Sequence, residues 1–68
     1  MKDNTLQISL AAARVDAGMT QTQVSHEMHV SKQTVVNWEN GKTEPTINQA
    51  RRLSEIYGIG LDHIFFAL

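Results

Sequence analysis

Four side chains carry the chemistry most worth following in this 68-residue chain. Lys32, Gln33, Val36 and Asn37 stand at i, i+1, i+4 and i+5, a spacing that gathers them on one face of a helix. Their types complement the edges of nucleic-acid bases. A lysine donates to guanine O6 and N7, glutamine and asparagine pair bidentately with adenine, and valine packs on a thymine methyl. The same four residues would also suit an ordinary solvated helix face, since Lys, Gln and Asn are mostly exposed in folded proteins. Their neighbours must decide between the two.

Those neighbours, over residues 19–45, lay out two short helices joined by a tight turn. Thr20 and Gln23 have capping-box spacing and open the first of the two, with Val24 and Met28 as its apolar edge. Ser31 caps the second, which ends near Asn40 with Gly41 as its stop signal. Val24, Ser25, Val30, Val35 and Trp38 supply the small and apolar residues that two closely crossing helices need. This is the layout of a helix-turn-helix, a unit that places its second helix in the DNA major groove.

The rest of the chain predicts three more helices and no strand. The first runs from about Leu6 to Ala17, capped by Asn4 or Thr5 and closed by Gly18. Its apolar face is Leu6, Leu10, Ala13 and Ala17. After a loop at Lys42 to Pro45, the Thr46 and Gln49 pair opens a fourth helix, with Ala50, Leu53, Ile56 and Tyr57 facing inward and Gly58 at its end. Leu61 to Phe65 reads as a short fifth helix. The expectation is one compact all-α domain over residues 1–68.

Composition narrows the function classes. The chain has no cysteine, so neither a disulfide nor a thiolate metal site is available. Nothing reads as a signal peptide, and no apolar run approaches the roughly 20 residues that span a bilayer. A cytoplasmic protein without a membrane partner is expected. Six Lys and Arg against seven Asp and Glu give a net charge of −1. Nucleic-acid binders usually show a basic surplus, so the local placement of the cations matters more than their sum. Lys32 and Lys42 fall on the candidate face, while Arg51 or Arg52 could approach a phosphate or pair with Glu55. Glu44 would weaken the local field.

Gln21, Val30-Ser31, Thr34-Val35, Trp38-Glu39, Gly41-Lys42 and Pro45 fall at the spacing of a known family. The chain resembles the Cro and phage-repressor (XRE-type) DNA-binding domains, and the closing segment YGIGLDHIF resembles that family's last two helices. The resemblance covers about Leu6 to Phe65 and implies a five-helix lambda-repressor-like fold. It implies that Lys32, Gln33, Val36 and Asn37 read bases, and that Gln21, Thr34, Asn40 and Lys42 contact phosphates. It also implies an internal ion pair between Arg14 and Glu39, which two opposite charges on otherwise apolar helix faces would favour. Two departures stand out. Ser25 replaces the usual alanine in the second helix, and His29 occupies a turn position where glycine is usual.

Other chemistries find little support. His26 and His29 are three apart, but a structural zinc site wants four ligands, and no third ligand accompanies them. Ser, His and Asp are present without any motif that joins them into a hydrolytic triad. No enzyme, metal, cofactor or small-molecule substrate is expected.

Double-stranded DNA is the expected partner, bound by paired domains because one reading helix covers only a few base pairs. The run Phe65, Phe66 and Leu68 is apolar enough to suggest a contact patch. Two functions follow. One is a Cro-like transcription regulator of a phage lysis-lysogeny or similar switch in a bacterial host, acting as a dimer that occludes a promoter. The other is a modulator of repression that acts by binding a partner repressor as a heteromer.

Overall fold

A computed structural model describes residues 7–65. The elements run β1 (Ile8–Ser9), α1 (Leu10–Asp16), α2 (Gln21–Met28), α3 (Lys32–Asn40), α4 (Ile47–Tyr57), a 3-10 turn (Leu61–His63) and β2 (Ile64–Phe65). The five-helix expectation is therefore corrected to four α-helices, and the expectation of no strand is corrected as well.

Both corrections have one cause. After Gly60 the chain makes one tight turn and then leaves the helical conformation to pair with the start of the domain. Leu61–His63 forms a single 3-10 turn whose Gly60 cap makes no side-chain hydrogen bond. Ile64 then turns extended, at φ −99° and ψ 127°. Its backbone pairs in parallel with the start of the domain, Ile8 against Ile64 and Ser9 against Phe65. Branched and aromatic residues favour that conformation.

The pairing also moves the start of the first helix. Ile8 and Ser9 are committed to β1, so α1 begins at Leu10. Ser9 is its cap, with Oγ accepting from the Ala12 amide at 3.0 Å. Asn4, Thr5 and Leu6, expected to begin this helix, lie outside the described residues. Ala17, expected in the core, is exposed, because α1 ends at Asp16 and Gly18 takes a left-handed conformation at φ 73°.

The remaining helix ends are set by local chemistry. Thr20 and Gln23 exchange hydrogen bonds of 3.0 and 2.8 Å at the start of α2. Thr46 and Gln49 do the same at the start of α4, at 3.1 and 2.8 Å. Each box satisfies two otherwise orphan amides.

The core gathers Leu10, Ala13, Val24, Val35, Trp38, Leu53, Tyr57 and Ile64. Val24 and Val35 are fully buried where α2 and α3 meet, so the mutual orientation of these two helices is fixed by packing. Each buried apolar side chain of this size contributes roughly 1.5 to 3 kcal/mol.

Candidate nucleic-acid interface

Three residues, His29 to Ser31, turn the chain from α2 into α3. His29 sits in the left-handed region at φ 58° and ψ 42°, the one non-glycine residue with positive φ among those described. Reversal here lets the Val30 amide donate to the Ser25 carbonyl at 3.0 Å. Ser31 then caps α3, its Oγ accepting from the Thr34 amide at 3.1 Å. Ser25, the other departure from the usual pattern, is buried. Its hydroxyl donates to the Thr22 carbonyl at 2.7 Å, so no polar atom is stranded.

Packing Val35 and Trp38 against the core turns the opposite side of α3 outward. Lys32 and Gln33 are exposed there, and Val36 and Asn37 are half-buried at its margin. The amide of Gln33 donates from Nε2 to Oδ1 of Asn37 at 3.0 Å. Thr34 is half-buried, and its hydroxyl lies 2.8 Å from that of Ser31. Asn40 and Lys42 are exposed at the far end of α3, about 12 Å along the helix from Lys32. The Lys42 amide donates to the Asn37 carbonyl at 2.9 Å, which holds that turn against the helix.

Beside this face lies a charged knot. Arg14 donates from Nε to Oε2 of Glu39 at 2.8 Å and from Nη2 to Oε1 at 3.4 Å. Its Nη1 donates to the Met19 carbonyl at 3.0 Å. Gln21 donates from Nε2 to Oε1 of Glu39 at 2.9 Å. One carboxylate thus ties α1, the start of α2 and the end of α3 together. The pair is largely removed from water, the two side chains being 15% and 7% exposed. Tyr57 lies within reach of its field. Burial first, and then the Glu39 charge, push the phenol up to about 12, against the opposing effect of Arg14.

The cations divide accordingly. Arg14 is spent inside the domain. Arg52 reaches Glu55 at 3.4 Å and Glu27 at 4.0 Å on the surface, pairs that contribute little to stability but occupy its charge. Lys32, Lys42 and Arg51 have no ion pair among the described residues.

Of the candidate contact residues, the structure gathers Lys32, Gln33, Val36 and Asn37 on one face. It sets Gln21 beside that face through Glu39 and places Asn40 and Lys42 at the other end of α3. Phe65 belongs to β2, while Phe66 and Leu68 lie outside the described residues. The Gln21–Glu39 and Gln33–Asn37 hydrogen bonds and the Arg52–Glu27 contact were not anticipated from sequence. Only the i, i+4 spacing of Gln33 and Asn37 could have signalled any of the three. Among the described residues, no cluster of His, Asp and Glu is assembled that could hold a metal ion.

This arrangement of α2, turn and outward-facing α3 agrees with comparison to known proteins. The family model described as helix-turn-helix matches residues 10–64. The chain belongs to the helix-turn-helix family. It is also similar to an uncharacterized HTH-type transcriptional regulator of Methanocaldococcus jannaschii, 30% identical over 47 residues. That alignment covers 69% of this chain and 71% of the archaeal protein. No solved structure matches the chain significantly. Helix-turn-helix domains are DNA-binding modules that carry no catalytic machinery. No helix among the described residues of this helix-turn-helix domain is long and apolar enough to cross a membrane.

Proposed function

We propose that this helix-turn-helix domain is a sequence-specific transcriptional regulator of Cro and phage-repressor type, acting in a phage lysis-lysogeny or similar switch by occluding promoter DNA. The observation that carries the reading is the outward face of α3. Packing leaves Lys32 and Gln33 exposed and Val36 and Asn37 half-buried on the same outward side, and each has a counterpart on a major-groove base edge. Gln21, Thr34, Asn40 and Lys42 flank that face and serve the phosphates, which position the domain without reading sequence.

The charge distribution bears on how the domain binds. With Arg14 and Arg52 both engaged by carboxylates, the described cations without an ion pair are Lys32 and Lys42 at the two ends of α3 and Arg51 on α4, with exposed Glu44 near Lys42. Affinity for DNA rises steeply with the number of phosphates neutralised, so one copy binds weakly. Two copies on half-sites about one helical turn apart supply what one lacks. The same scarcity of charge favours a second reading, in which the domain acts with a partner repressor. In either case Phe65, Phe66 and Leu68 are the residues assigned to that contact.

An NMR titration of the labelled chain with duplex DNA tests the assignment. Amide shifts are expected at Gln21, from Lys32 to Asn37, and at Asn40 and Lys42. Shifts confined to α1 and α4, or none at all, would remove α3 from the interface.

A further inference from the structure

Gln33 and Asn37 are one turn apart on α3, and the hydrogen bond from Gln33 Nε2 to Asn37 Oδ1 joins them at 3.0 Å on the exposed face. A glutamine amide has two N–H donors and a carbonyl oxygen. Spending one donor on Asn37 leaves Gln33 with Oε1 and its second N–H. Those two atoms are the pair that meets adenine N6 and N7 in the major groove. For Asn37 the consequence differs. Its oxygen, the atom that would take up an adenine amino group, is turned towards Gln33. Asn37 therefore meets DNA through Nδ2, which only donates.

We propose that Gln33 and Asn37 read DNA as one coupled unit, with Gln33 selecting adenine and Asn37 selecting a neighbouring base that presents acceptors. Guanine, through O6 and N7, and thymine, through O4, are the bases that fit Asn37. The inference rests on the assignment of α3 as the reading helix and adds to it a division of labour. The hydrogen bond orders two flexible side chains before DNA arrives. It also makes each residue's preference depend on the other, so removing Gln33 frees Asn37 to read adenine in its own right.

The test is a double-mutant cycle on the full chain. The probe is the duplex that wild-type protein recovers from a randomised pool, with affinities read by fluorescence anisotropy. Gln33→Ala and Asn37→Ala are each expected to lose roughly 5- to 150-fold in affinity. The double variant should fall short of the product of those losses by about fivefold or more, as contacting residues do. Both side chains lie on the surface face, and circular dichroism should show the fold of each variant intact. Replacing the read adenine by 7-deaza-adenine, which lacks the N7 acceptor, should weaken wild type and leave Gln33→Ala unchanged. Pool selection with Gln33→Ala should admit adenine at the position Asn37 reads.

A double variant equal to the product of the single losses, within about twofold, would overturn the coupling and leave α3 as the reading helix. Single variants that bind like wild type, or a pool that yields no motif, would overturn the reading of α3 and the coupling with it.

Discussion

Gln21 and Glu39 are joined by a 2.9 Å hydrogen bond between the first turn of α2 and the last turn of α3. The same carboxylate takes two donors from Arg14. The residue assigned to a phosphate is thus held by the anchor that fixes the far end of the reading helix. A change at Glu39 should be felt at both places.

Removing one member of the ion pair should be costly. Glu39→Ala leaves the Arg14 guanidinium buried without its partner, a change that typically costs about 3 to 5 kcal/mol. Urea unfolding should show that loss. The double change Arg14→Met with Glu39→Leu should recover most of it, since paired buried charges are often replaceable by apolar groups of similar size. A single variant as stable as wild type would show that the pair contributes nothing.

His29 holds a conformation that disfavours side chains. His29→Gly should relieve roughly 1 kcal/mol of left-handed strain, partly offset by the greater freedom of glycine in the unfolded chain. The expected result is a small rise in thermal midpoint, a few degrees for a domain of this size. A fall would mean that the histidine side chain contributes more in the turn than its backbone costs.

The capping boxes, the αL turn and the outward face of α3 were all legible in the sequence because each depends on residues within a turn or two of one another. Thr20 with Gln23, and Thr46 with Gln49, are local signals that no tertiary contact needs to complete. Ile8 with Ile64 is the opposite case. Neither residue carries a mark of the other, and their pairing turns the end of an expected fifth helix into a strand, leaving one 3-10 turn before it, and delays the start of α1. The link from Gln21 to Glu39 was hidden for the same reason. It requires knowing how the start of α2 sits over the end of α3. Arg52 had Glu55 as a visible neighbour in sequence, while Glu27 reaches it only through the packing of α2 on α4.

Tyr57 gives the domain an alkaline limit. In the unfolded chain its phenol ionises near the ordinary value of 10.0, whereas in the fold it is held up to about 12. Between these values the unfolded state gives up its proton and the folded state keeps it, so stability falls as pH rises. Below pH 10 this contribution is fully present. Phenolate absorbance of the folded protein should have its midpoint near 12, and urea midpoints should decline from about pH 10 upward. A phenol titrating at its ordinary value, with flat stability across that window, would contradict the assignment.

Lys42 is expected to act on all DNA alike. Lys42→Ala should weaken binding to specific and random duplexes by a similar factor and reduce the slope of log affinity against log salt by about one. A loss confined to one sequence would move Lys42 from a phosphate to a base.

The most direct measurement is selection of bound duplexes from a randomised pool by purified protein alone, at about 0.1 M salt to limit purely electrostatic binding. A sequence-specific regulator that binds as a pair should recover a two-fold-symmetric motif with half-sites about one helical turn apart. Recovery of no motif by protein shown to be folded would contradict it.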